Sequence, residues 1–159
     1  MQCEPPALKD VAQTLTALLG RHAAVSVSKT PYRPGSAERV LIATYRGLDG
    51  TLGAVCLADL GFAAYAGAAL AMFPLPRAEE SLRAGKLDEQ LEENFHEVMN
   101  VISTILTRGE ARARLDAVLP SVARVPADAA AVLAKPRARL DLDVEITGYE
   151  KSKLTFFVA

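Results

Sequence analysis

The sequence predicts an α+β fold, a mostly antiparallel β-sheet covered by helices, and three observations predict it. Two β-rich runs flank Gly47-Leu48-Asp49-Gly50, and Asp-Gly between such runs is a strong short hairpin signal. Ala138 to Ile146 alternates apolar and charged residues, then turns through Gly148 to a second β-rich run ending at Val158, a further hairpin with one wet face. Between these pairs, from Asp59 to Thr107, apolar and small residues recur at helical spacing. With 159 residues, 50% hydrophobic and a formal charge of −1, the chain can bury one sizeable core and is short for two. Residues 1–159 are therefore read as a single domain.

In chain order, Leu8, Val11, Leu15, Leu18 and Leu19 lie at helical spacing and Gly20 follows as a left-handed cap, predicting a first helix. Ala24 to Lys29 reads as a short strand, ended by the proline- and glycine-containing loop Thr30 to Ser36. Arg39 to Arg46 and Thr51 to Leu57 are the arms of the Asp-Gly hairpin, expected to be antiparallel neighbours. Asp59 offers an N-cap for an Ala-rich helix running to Phe73, whose Gly61, Ala64, Gly67, Ala68 and Ala71 make a surface able to approach a sheet closely. Pro74 and Pro76 end that helix, and the charged stretch Arg77 to Lys86 reads as a link. Asp88 to Thr107 is a long amphipathic helix with Leu91, Phe95, Val98, Ile102 and Ile105 on one stripe, closing near Gly109. Ala113 to Leu119 is read as a strand, Pro120 and Pro126 as turns, and Ala127 to Ala134 as a short helix. Ala138 to Ile146 and Lys153 to Val158 complete the sheet, joined by the turn Gly148 to Ser152.

Composition narrows the function. Near-neutral charge, no basic run and 6% aromatic residues lack the footprint of a nucleic-acid binder. The N-terminus has no secretory-signal pattern, and the apolar stretch Leu60 to Leu75 is short for a bilayer, so no membrane association and a cytoplasmic location are expected. Cys3, in a terminus expected to fray, and Cys56, in an apolar strand, are read as free thiols, with no metal site.

Chemistry concentrates on the long helix. Glu97 and Asn100, at i and i+3, leave a rigid rod in the same direction and can engage one target together. Neither is a strong nucleophile, which favours positioning over covalent catalysis. Glu93, Glu97, Asn100 and Thr104 form a stripe separate from the apolar one, and His96 lies beside Glu92, Glu93 and Asn100 at helical spacing as a partner-contact residue. Gly47, Gly50 and Gly53 fall around a hairpin rather than before a helix, so they set turn geometry and form no phosphate loop.

This order of elements resembles the CheX/CheC/FliY family of chemotaxis phosphatases. The residues that carry the resemblance are Gly53-Ala-Val-Cys-Leu-Ala-Asp59, the helix Ala63 to Met72, and Glu97-Val-Met-Asn100, followed by Pro120-Ser121. The single-motif, CheX-like version fits, because Leu8 to Leu19 contains no Glu-x-x-Asn. Glu93 stands where the family pattern has Asp or Ser. The resemblance implies hydrolysis of the aspartyl phosphate on a response regulator of the CheY type, with Asn100 orienting the attacking water and Glu97 contacting a lysine of the regulator. It also implies Glu93, His96 and Thr104 at the partner contact, no cofactor of this chain's own, a Mg2+ ion carried by the receiver domain, and a homodimer formed through the sheet, for which Ala138 to Ile146 beside Leu154 to Val158 is the expected edge. A docking module with the same fold and no turnover is the alternative reading.

Overall fold

The computed structural model describes residues 2–33 and 39–159, so Pro34, Gly35 and Ser36 of the expected loop lie outside the described residues. Among the described residues, six strands form one sheet: Ala23–Val27 (β1), Val40–Arg46 (β2), Leu52–Asp59 (β3), Arg114–Leu119 (β4), Ala138–Ile146 (β5) and Lys151–Val158 (β6). Their order is β1-β5-β6-β3-β2-β4, with every neighbouring pair antiparallel. The helices are Leu8–Leu19 (α1), Leu60–Leu70 (α2), Leu75–Ala84 (α3), Glu89–Ile102 (α4) and Ala127–Ala134 (α5). The α+β, antiparallel fold expected from the sequence is the fold found.

Both expected hairpins form. Between β2 and β3 the Gly47 N–H donates to the Thr51 carbonyl at 3.0 Å, and Gly50 takes φ 81°, a conformation that glycine reaches without strain. Strand β3 is central and buried along almost its whole length, because both faces of the sheet are covered there. Ala54, Cys56 and Ala58 face a main core shared with α1, α2 and α4. Val55 and Leu57 face a smaller core closed by Ala129 of α5. Arg46 pins α5 over that second core: its guanidinium holds Asp128 at 2.6 and 3.0 Å and Asp116 of β4 at 3.1 Å.

Helix α2 begins where expected, with the Asp59 carboxylate accepting the Phe62 N–H at 2.7 Å. Every residue from Phe62 to Ala69 is buried, the mark of a helix enclosed on all sides. Its small residues serve two neighbours rather than the sheet alone. A methyl added at Gly67 would lie 2.9 Å from the Leu91 carbonyl oxygen of α4, so glycine there lets the two helix backbones approach.

Four expectations are corrected. The segment Arg77 to Lys86 is no link but most of helix α3, with Pro74 at its N-cap and Pro76 in its first turn. Proline is tolerated there because the first-turn N–H groups have no helical acceptor, so the prolines that end α2 also start α3. Helix α4 stops at Ile102, not near Gly109: a 3-10 turn spans Ser103–Ile105, and the Ser103 and Thr104 hydroxyls donate to the carbonyls of Asn100 and Val101 at 2.6 and 2.7 Å. Such back-bonding competes with a regular helix. Strand β5 is not a sheet edge, since it pairs with β1 on one side and β6 on the other; the edges are β1 and β4. Cys3 is not frayed: it is 2% exposed and bridges to Thr107, and the Arg137 guanidinium donates to its carbonyl. Among the described residues, no helix is long and apolar enough to cross a membrane.

Candidate functional site

Helix α4 presents one face to the core and the opposite one to solvent, and four sets of contacts fix which is which. Its apolar side chains Leu91, Phe95, Val98, Met99 and Ile102 are all buried. Phe95 meets Phe62 of α2 edge to face, with ring centroids 6.3 Å apart at 79°, a favourable aromatic geometry. Along one flank the Asn94 amide donates to the Gly67 carbonyl at 3.0 Å. At the start, the Asp88 carboxylate accepts the Leu91 N–H at 2.9 Å; that bond and the Arg77 guanidinium hold its carboxyl below the usual range. Near the end, the buried Tyr45 hydroxyl of β2 donates to the Met99 carbonyl at 2.9 Å. Burial pushes this phenol well above its ordinary pKa, so it stays protonated and remains a donor.

With the rod so held, Glu93, His96, Glu97, Asn100 and Thr104 are all exposed. Among the described residues, the side chains of Glu97 and Asn100 have no hydrogen-bond or ion-pair partner, so both are free to meet a second molecule. Glu89, Glu92, Glu93 and His96 line an open depression of about 410 Å³. None of the four α4 glutamates is ion-paired among the described residues, so this face presents uncompensated negative charge. Thr104 stands apart: its hydroxyl is engaged with the Val101 carbonyl, and it lines a crevice of about 150 Å³ against Pro5, Pro6 and Asp10 at the start of α1. The structure thus gathers Glu93, His96, Glu97 and Asn100 and leaves Thr104 one turn beyond, at the rim.

A second concavity adjoins the first through Glu92. This cleft of about 210 Å³ has Leu41, Leu60, Leu87 and Pro120 among its walls and Arg39 and Lys86 at its basic side. It places Pro120, at the end of β4, beside α4. Of the residues following the Glu-x-x-Asn pair, Ile102 and Leu106 are buried while Val101 and Ile105 are half-buried. Among the described residues no group of three His, Cys, Asp or Glu side chains is arranged to hold a metal ion. The feature missed in the sequence is Tyr45. In the run Val40 to Arg46 it reads as one more apolar strand residue, and only its hydroxyl hinted that a buried acceptor must be waiting for it.

The arrangement can do one kind of chemistry. A carboxamide donates and accepts at once and can hold a water, while an ionised carboxylate accepts from a cation. Neither requires the helix to supply a nucleophile.

The sequence matches no protein-family model and no curated protein. Solved structures do match. A chain of the FliM–SpeE complex from H. pylori superposes with a TM-score of 0.65 and 10% identity, over 95% of this chain and 80% of that one. FliY from Thermotoga maritima superposes with a TM-score of 0.55 and 16% identity, over 97% of this chain and 84% of that one. A chain of the CheX–CheY–BeF3–Mg2+ complex from Borrelia burgdorferi superposes more loosely, with a TM-score of 0.49 and 12% identity over 95% of this chain and 94% of that one. On the first two superpositions, the chain has the fold of FliY, and so the fold of the CheX/CheC/FliY group that its sequence resembles.

Proposed function

We propose that this protein is a phosphatase of phosphorylated receiver domains, acting through the exposed face of α4. The observation that supports this reading is the outward, unpartnered pair Glu97 and Asn100 on a helix held rigidly by buried contacts, in a fold shared with FliY. The Asn100 carboxamide holds a water in line with the phosphorus of the receiver's aspartyl phosphate. The water oxygen bonds to phosphorus as the bond from phosphorus to the aspartyl oxygen breaks, releasing inorganic phosphate and restoring the carboxylate. The Mg2+ ion belongs to the receiver, where it offsets charge on the transferring group, and this chain contributes alignment, which phosphoryl transfer chiefly needs. Glu97 accepts from a lysine at the receiver's site, and Glu93 and His96 extend the contact. Thr104, with its hydroxyl already engaged, contributes only at the rim.

Glu97→Gln tests the docking half of this account. Loss of a charge-assisted hydrogen bond should weaken receiver binding roughly tenfold, and raising salt should narrow the gap between variant and parent, because the lost attraction is between surface charges. A dissociation constant equal to the parent's would remove Glu97 from the contact.

A docking module without turnover is the second reading. It is favoured by the superposition on a chain of the FliM–SpeE complex, a protein–protein assembly. On either reading, a homodimer formed by continuing the sheet uses β1 or β4, the strands with an unpaired side. Light scattering is expected to give twice the 16.9 kDa chain mass; a monomer at high concentration would reject the dimer.

A further inference from the structure

We infer that Tyr45 is a positioning residue for Asn100, which acts by tethering the peptide immediately before Asn100 to the sheet; this rests on the phosphatase reading above. In a regular α-helix the Met99 carbonyl would accept the N–H of Ser103. Here the Ser103 N–H turns to the carbonyls of Asn100 and Val101 as the chain tightens into its 3-10 turn, and the Ser103 hydroxyl adds a 2.6 Å bond to the Asn100 carbonyl. Helical bonding therefore changes type at the residue that carries the carboxamide. The Met99 carbonyl, lying in the core, receives the Tyr45 hydroxyl at 2.9 Å instead. Tyr45 is fully buried and sits on β2, which is paired on both sides by β3 and β4, so it is anchored inside the sheet rather than at its edge. Asn100 is exposed, and among the described residues its own side chain has no hydrogen-bond partner to fix its direction. The position of its Cα is set from behind, by a hydroxyl that never meets the substrate. An in-line water tolerates little misplacement, with an error on the order of 1 Å able to cost 10²-fold in rate. Glu97, a turn earlier and inside the regular part of α4, does not depend on this tether.

The test is Tyr45→Phe, which keeps the ring and removes the hydroxyl. With a phosphorylated receiver as substrate, well below the melting temperature, kcat should fall about tenfold while KM stays within twofold, since docking through Glu97 is intact. Hydrogen exchange at the Ser103 and Thr104 amides should speed up about tenfold, with those of Leu91 to Phe95 unchanged. A residue that merely stabilised the fold would leave kcat alone at this temperature and would loosen α4 uniformly; either result overturns the inference. In the parent protein, NMR should detect a slowly exchanging Tyr45 hydroxyl proton close to Met99, and its absence overturns the tether whether or not Tyr45→Phe folds. If the parent hydrolyses no phosphorylated receiver, the phosphatase reading falls and the catalytic role of Tyr45 falls with it, while the exchange pattern and the hydroxyl signal still decide for or against the tether.

Discussion

Asn100→Ala is expected to abolish almost all of the acceleration of phosphate loss from a receiver, by about 10²-fold or more, because the residue's whole contribution is to align the attacking water. The same variant should keep its melting temperature within a few degrees. Asn100 is exposed on α4 and its side chain has no partner among the described residues, and surface changes of that kind usually alter stability by less than about 0.5 kcal/mol. Its affinity for the receiver should also persist, since the charged contact belongs to Glu97. The informative outcome is thus a separation: turnover lost, fold and docking kept. Equal phosphatase rates for variant and parent would show that the carboxamide does not hold the water.

Phe95→Ala is expected to have the largest effect on stability. Phe95 is fully buried on the inner face of α4 and meets Phe62 of α2 edge to face. Removing a buried phenyl ring costs about 3–5 kcal/mol through lost transfer energy and the cavity left behind, which for a chain of this size lowers the melting temperature by roughly 10 °C. The experiment also reports on the site. Residues 95 and 97 lie about 200° apart around a helix, so Phe95 can be in the core only if Glu97 is turned away from it. A thermal denaturation curve unchanged by Phe95→Ala would mean that α4 is rotated from the orientation described, and the outward pair would go with it.

The face of α4 could be read from the sequence because a 3.6-residue period leaves little choice. Leu91, Phe95, Val98 and Ile102 must share a side, and Glu93, Glu97 and Asn100 must then share another. The hairpins were legible for a similar reason: Asp49-Gly50 and the alternation from Ala138 to Ile146 are local signals whose structural consequence is also local. Strand order is different. Nothing within Ala138 to Ile146 says that Ala23–Val27 will pair along its far side, so the expected sheet edge went to the wrong strand. That pairing is decided by α1, which returns the chain to the sheet, where the Ala23 N–H donates to the Thr16 hydroxyl at 3.1 Å.

Helix α3 was hidden by its prolines, which mark helix ends and helix beginnings alike. Its inward face is small: Ala78 and Ser81 are buried, Leu75 and Leu82 pack partly against the core, and Arg77 secures it by stacking 4.2 Å from the Phe73 ring centroid and pairing with Asp88 at 3.3 Å. The early end of α4 turns on the hydroxyls of Ser103 and Thr104, residues whose side chains compete for backbone groups without forbidding a helix. The segment around Cys3 looked frayed because a terminus without periodicity carries no pattern; the Arg137 and Thr107 partners that order it lie more than a hundred residues away in sequence. The tie between Tyr45 and Met99 was illegible for the same reason, a contact between a strand and a helix separated by 54 residues.

What unites these features is a division of labour within one helix. Contacts on Leu91, Phe95, Met99 and Asn94 hold α4 against the core, and among the described residues the glutamates of its outer face have no ion-pair partner. The measurement that bears most directly on this account is the rate of phosphate release from phosphorylated receiver domains, followed with and without the protein and with its Asn100→Ala variant. The account predicts that the parent speeds release from at least one cognate receiver and that the variant returns the rate to the receiver's own. Receivers that lose phosphate at the same rate in all three conditions, while still binding the parent protein, would contradict it and leave α4 as a docking surface alone.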